Sequence, residues 1–161
     1  MTTRVNEMGL PIGPALPDWT ARPRPPRAVI EGRYCRVEPL DPESHAAELH
    51  AANSQDREGL MWTYLLSGPF ASFDAYRAWL ESKRGSEDPL FFAFVDAASG
   101  RAVGLGSYLR IDPANGSVEV GHLQYSPLMQ RTAVATEAMY LMMKTAFELG
   151  YRRYEWKCDA L

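Results

Sequence analysis

The residues best placed to do chemistry lie in one stretch, YSPLMQRTAVATEA, residues 125–138. A strand that ends at Tyr125 and a helix that begins near Ala133 leave the helix's first N–H groups without intrahelical partners, and such groups bind anions. Ala133 and Ala135 are small enough for a diphosphate to approach the backbone. Gln130, Arg131 and Thr132 add side-chain donors. Alanine can stand where a phosphate loop more often has glycine, provided the turn needs no positive φ there. Neither GxxxxGK[ST] nor GxGxxG occurs in the chain, so this is not one of the common nucleotide loops.

The chain that must position this loop has 161 residues and a net charge of -3. That length reads as one soluble domain, burying about two-thirds of the surface its unfolded chain exposes. The charge argues against a nucleic-acid or anionic-membrane surface, and any substrate anion must be met locally. Cys35 and Cys158 are far apart and point to neither a disulfide framework nor a metal site, which fits a cytoplasmic protein. His45 and His50 do not share a helical face, so no metal is expected from them. No run is long enough to span a membrane, and residues 1–19 lack the apolar core of a secretory signal.

Residues 1–30 form a Pro-rich arm, with six prolines before residue 28, and prolines disfavour helix and sheet interiors. Trp19 and Leu16 can dock, and an arm lying along the surface is the simpler expectation. The domain is expected over 31–161. GRYCRVEPL reads as a strand, and Asp41 caps a helix in PESHAAELHAAN with Pro42 in its first turn. FASFDAYRAWLESKR is a second helix capped by Ser72. LFFAFVD and RAVGLGSYLRI form a hairpin, and Asn115-Gly116 turns the chain into the next strand, VEVGHLQY. Residues 134–149 form the strongest helix, ended by Gly150, and YRRYEWKCD is again a strand. The order predicts an α/β (α+β) layer, a mostly antiparallel mixed sheet with helices packed on it.

On strict alternation Glu119 shares a face with Gly121, Leu123 and Tyr125, and His122 points the other way as a packed or exposed histidine. Taken alone, Glu119 is a strand carboxylate facing solvent or paired with an arginine. Trp62, Tyr64 and Phe70 read as core aromatics under a loop, Cys158 as a small buried hydrophobe, and Met139, Met142 and Met143 as core filler.

The wider text carries a resemblance. WTYLLSGPF, IDPANGSVEVGHLQYSP, QRTAVATEA and GYRRYEWKCDAL are similar to the GNAT superfamily of N-acetyltransferases, in a branch related to the ribosomal-protein N-terminal acetyltransferases. In the signature Gln/Arg-x-x-Gly-x-Gly/Ala, Gln130 falls on the first position, Ala133 on the first glycine and Ala135 on the second. Ala133 departs from the pattern. The resemblance implies the GNAT fold with helices on both faces of the sheet, and acetyl-CoA as co-substrate. It places the coenzyme on Gln130, Arg131, Thr132, Ala133, Val134, Ala135 and Thr136, and on the backbone of Leu123, Gln124 and Tyr125 where the strand splays from its parallel neighbour.

The same resemblance makes Glu119 the general base, acting directly or through water, and puts Trp62 and Tyr64 at the acceptor pocket. It implies direct attack by a primary amine of a small molecule or a protein N-terminus, without metal, nucleic acid or membrane, and leaves a homodimer open. GNAT domains usually continue past the strand that here ends at Leu161, so the resemblance implies a domain missing its C-terminal part. A non-catalytic acyl-CoA-binding or regulatory module of the same fold is the alternative. An interaction protein using the Pro-rich arm is a third.

Overall fold

The computed structural model describes residues 4–159. Leu161, on which the expectation of an incomplete domain turns, lies outside them, as do Met1 to Thr3 of the arm. The arm carries a short hairpin, β1 (Arg4–Val5) with β2 (Pro11–Ile12). The sheet is built from β3 (Ile30–Glu31), β4 (Cys35–Pro39), β5 (Leu90–Asp96), β6 (Ala102–Asp112), β7 (Ser117–Tyr125) and β8 (Arg153–Glu155) in that spatial order. All neighbours are antiparallel except β7 and β8. The helices are α1 (Pro42–Asn53), α2 (Phe73–Glu81) and α3 (Ala133–Glu148), with a single turn of 3-10 helix at Leu60–Trp62. No helix among the described residues is long and apolar enough to cross a membrane.

Each helix starts where a side chain can satisfy its free amides. Asp41 accepts from Glu43 N, Ser72 from Ala75 N at 3.2 Å, and Thr132 from Ala135 N at 3.4 Å. Gly150, at φ 86°, ends α3. The alternation of β5 then sorts the core into two layers. Leu90, Phe92 and Phe94 pack with Ala138, Met142 and Ala146 of α3, while Phe91, Ala93 and Val95 pack with Leu49 of α1 and Tyr76 and Leu80 of α2. Helices therefore cover both faces, as expected.

One detail differs from the expectations and two add to them. The last strand stops at Glu155, and Cys158 is exposed in the tail beyond it, not buried in a strand. GRYCRVEPL is the second strand of a hairpin whose first strand is β3. The arm is anchored at several points: Trp19 Nε1 donates to Ala114 O at 2.7 Å with its ring resting on Gly116, Arg22 N donates to Pro113 O, and the Arg24 and Arg27 guanidinium groups donate to the carbonyls of Glu87, Arg84 and Ser86. A Cβ on Gly116 would come within 2.3 Å of that ring. Arg22 and Arg152 stack on the indole, whereas Leu16 stays exposed.

Candidate active site

The loop between β7 and α3 is held by one bond to β6 and otherwise from within. Ser126 Oγ donates to Val103 O at 2.5 Å, and the amides of Met129 and Gln130 both donate to Ser126 O. Arg131 then takes φ 59°, so the positive φ that a glycine would supply falls on an arginine and not on Ala133 or Ala135. Thr132 Oγ1 donates to Met129 O and accepts from Ala135 N. The Thr136 amide bonds back to Thr132 O, while the amides of Ala133 and Val134 donate to no acceptor among the described residues. They border a cavity of about 430 Å³ shared with Leu128, Arg33 and Tyr34. Arg131 is exposed and without a partner among the described residues, whereas Gln130 Nε2 is already engaged by Tyr125 O at 2.8 Å.

The direction of α3 is fixed one turn further along. Glu137 accepts from the successive amides of Arg33 (3.0 Å), Tyr34 (2.5 Å) and Cys35 (2.8 Å), stapling the helix to the β3–β4 hairpin. Burial alone would raise its pKa, but those bonds outweigh it and hold the carboxyl below the usual range. The Cys35 thiol is pushed up to about 12 by burial and then by the Glu137 charge. Only glycine fits at position 32, where a Cβ would sit 2.5 Å from Glu137 Oε2.

The other half of the site is a bulge. β6 and β7 pair Leu109 with Glu119 and Ser107 with Gly121, but Leu105 with Gln124, so β7 holds one extra residue at His122–Leu123. His122 sits there at φ 52°. Strict alternation fails at this point. Leu123 and Tyr125 turn to the α3 face, against Gly106 and Phe94, and do not share a face with Glu119. His122 instead comes round to the α1/α2 face, with Nδ1 2.9 Å from Ser107 Oγ and its ring 5.1 Å from Phe91. Gln124 also faces that side, where Tyr76 O–H donates to its Oε1.

A second bulge in β6 supplies Glu119 with its partner. Asp88 accepts from Arg110 N at 2.8 Å and Ile111 N at 2.9 Å, and Arg110 takes φ 46°. The Arg110 guanidinium then closes on Glu119, whose side chain is only 6% exposed. Glu119 is thus an arginine-paired strand carboxylate that also borders a cleft of about 570 Å³, with Tyr64, Leu66, Leu109, His122 and Lys157. β8 pairs with β7 only over Ser117–Glu119. Past that point no strand among the described residues covers the outer edge of β7.

The two expected acceptor aromatics are separated. Tyr64 is exposed and lines the Glu119 cleft, whereas Trp62 is buried in the α1/α2 core. Trp62 lies under Gly68, packs edge-on to Phe70, and borders a different cavity, of about 290 Å³, with His50, Asn53 and Tyr76. The sequence reading missed Arg110, Asp88, Ser107 and the orientation of His122. The one available signal was Gly121, since a glycine inside a strand often marks a bulge. His45 is a core residue that accepts from Asp41 N.

The family described as Acetyltransferase (GNAT) domain matches residues 36–161. Among solved structures the chain is similar to a GCN5-related N-acetyltransferase from Brucella melitensis, with a TM-score of 0.87 and 46% identity over 90% of this chain. It spans 66% of that chain's length. A probable acetyltransferase of the GNAT family from Chromobacterium violaceum ATCC 12472 is similar with a TM-score of 0.83 and 38% identity, over 94% of this chain and 75% of that one. RimL, a ribosomal L7/L12 alpha-N-protein acetyltransferase, shares the fold with a TM-score of 0.65 and 18% identity, over 82% of this chain and 72% of that one. Curated proteins offer no match.

Proposed function

Because the chain belongs to the acetyltransferase (GNAT) family, we propose that it moves an acetyl group from acetyl-CoA to a primary amine by direct attack in a ternary complex. One observation carries this reading: β7, whose outer edge no strand among the described residues covers past Glu119, runs directly into the loop that ends at the start of α3, where the amides of Ala133 and Val134 have no acceptor among the described residues. A free backbone edge that leads through a short loop into a helix N-terminus suits a ligand that is amide-like at one end and a diphosphate at the other. In this reading Ala133 to Thr136 and the Arg131 side chain hold the pyrophosphate, while Gln130 and Thr132 keep the loop in shape. The backbone of Leu123, Gln124 and Tyr125 meets the pantetheine arm, and one strand N–H polarises the thioester carbonyl.

The acceptor arrives protonated. A free alkylamine has a pKa near 10.4, so roughly one molecule in a thousand is reactive at neutral pH. Glu119 is the proposed general base, acting directly or through water, in the cleft that Tyr64 also lines. Trp62 serves the acceptor side from behind, by supporting the 60–70 loop. Acceptors to test are small-molecule amines and protein N-termini, the second because RimL is named for acetylation at an α-amine. The pairing of Glu119 with Arg110 favours one rival, a non-catalytic acyl-CoA-binding module of the same fold.

Calorimetry with acetyl-CoA, followed by an acceptor screen for thiol release, separates these readings. The expected result is micromolar binding that excess CoA competes away, with thiol release for at least one amine class. Binding without turnover on any amine selects the non-catalytic module. No binding by the folded chain leaves the likeness as one of fold alone.

A further inference from the structure

The cleft beside Glu119 contains a second titratable side chain that the proposed reaction has not yet used. The bulge in β7 brings His122 onto the Glu119 face, and both residues line the same 570 Å³ cleft. The imidazole is fixed on two sides. Phe91 of β5 packs against the ring, and Ser107 of β6 holds Nδ1 at 2.9 Å. Ser107 is fully buried, and its Oγ also lies 3.3 Å from Gly121 O. A carbonyl only accepts, so where the Ser107 hydroxyl turns to Gly121 O it spends its single proton there. The hydroxyl oxygen then accepts from Nδ1–H, which leaves Nε2 as the bare, basic nitrogen. Nε2 has no partner among the described residues and is not among the enclosed unpartnered atoms, so it is open to the cleft.

The charged and titratable groups around the ring are few. Glu119 lies on β7 with Arg110 of β6 closed on it. Lys83, just after α2, adds a positive charge, and Tyr64, Lys157, Cys158 and Asp159 complete the titratable lining of the cleft. Burial first, and the Lys83 charge second, hold the imidazole below the ordinary histidine range, so it is neutral and able to accept a proton at neutral pH. The positive φ of 52° points the same way. A β-sheet residue with a Cβ is held in the left-handed region at some cost, and such outliers gather where a side chain must be re-aimed.

We infer that His122 is a second acid–base residue of this cleft, with Nε2 taking the first proton from the acceptor's ammonium while Ser107 positions the ring. This rests on the acetyl-transfer reading. The ammonium nitrogen must lose two protons to become an amide. The first passes to Nε2 and on to solvent, which frees the lone pair that forms the N–C bond at the thioester carbonyl. When the adduct collapses, the C–S electron pair leaves with sulfur. The second proton moves from nitrogen to Glu119 and then to the thiolate, restoring the carboxylate that Arg110 holds. The sum is ammonium plus thioester giving amide, thiol and one released proton.

The test is the pH dependence of turnover in His122→Asn and Ser107→Ala. Asparagine accepts positive φ better than other residues with a side chain and keeps a polar contact for Ser107, so the bulge should survive. With saturating acetyl-CoA and amine, His122→Asn should turn over about a hundredfold more slowly at neutral pH, the usual scale of a lost acid–base group. Wild-type turnover should fall as pH drops through the lowered imidazole pKa, and that limb should be missing in His122→Asn. Ser107→Ala should keep the limb but shift it, because the ring loses its positioning partner. Acetyl-CoA affinity should stay within about twofold in both variants, which also shows that they are folded.

Wild-type turnover with an unchanged acid limb in His122→Asn would overturn the inference. A wild-type protein that binds acetyl-CoA but releases no thiol with any amine would instead overturn the acetyl-transfer reading and this role with it. Imidazole titration by NMR gives an independent readout for Ser107. The same titration and tautomer in Ser107→Ala would overturn its positioning role.

Discussion

The loop at residues 126–132 and the bulge in β7 both bend the chain sharply without a glycine at the bend, and they do so by opposite means. In the loop, all the stabilising contacts but the Ser126 Oγ bond to Val103 O of β6 lie within a few residues: Ser126 O takes two amides, Thr132 caps α3, and Arg131 alone takes positive φ. In the sheet, His122 is held by Ser107 and Phe91, and Arg110 by Asp88, all distant in sequence. A non-glycine residue in the left-handed region costs on the order of 1–2 kcal/mol. Arg110, His122 and Arg131 are the three such residues among those described, and all border the candidate site. The two regions divide the work accordingly, with anion binding on a locally built loop and proton chemistry on a strand that only tertiary pairing can shape.

That division breaks most visibly at Glu119. Glu119→Gln should lower turnover about a hundredfold, about 2.7 kcal/mol in the barrier, with coenzyme affinity unchanged because the loop is untouched. Wild-type turnover would move the chemistry off β7. The complementary change is Arg131→Ala, which should weaken acetyl-CoA binding by about 2 kcal/mol, roughly thirtyfold, and leave turnover at saturating coenzyme intact. Arg131→Gly serves as its control, since it removes the same charge and also relieves the positive φ. Equal losses in affinity would assign the effect to the guanidinium. Unchanged affinity in both would take Arg131 out of the site.

The same contrast explains what could be read from the sequence. Asp41, Ser72 and Thr132 stand directly before apolar-periodic runs, and the three helices start there. The hairpins at residues 97–100 and 113–116 announce themselves by their glycines, and the uninterrupted apolar run of β5 fits a strand buried on both faces. Each of these depends on neighbours a few positions apart. The bulge does not. One extra residue in β7 exchanges the faces of His122, Leu123 and Tyr125, and nothing within the strand except Gly121 marks it. Trp62 and Tyr64 part company for a related reason. They lie two positions apart in one aromatic run, yet the turn at Leu60–Trp62 sends one into the core and the other into the cleft.

Stability should show the same split between local and distant support, on a smaller scale. Asp88→Ala removes the acceptor for the amides of Arg110 and Ile111. Hydrogen bonds to a charged group contribute about 1.5–3 kcal/mol, and because the Asp88 side chain is 36% exposed the lower end, about 1.5 kcal/mol, is expected in denaturant unfolding. Turnover should fall as well, since Arg110 loses the contact that sets its backbone and therefore its approach to Glu119. A loss of stability with full turnover would uncouple the β6 bulge from the site.

Thr132→Ala should have the smallest effect and is the sharpest counterpart to Asp88→Ala. It removes the oxygen that accepts from Ala135 N, and a lost N-cap costs about 1 kcal/mol, or about 2–4 °C in Tm for a chain of this size. Ala135 N then joins Ala133 N and Val134 N as a free donor. The helix end becomes less stable while gaining one amide for a bound anion. Acetyl-CoA should therefore restore more Tm in Thr132→Ala than in Asp88→Ala, measured at one coenzyme concentration. Equal restoration in the two variants would mean that the start of α3 is not where the anion binds.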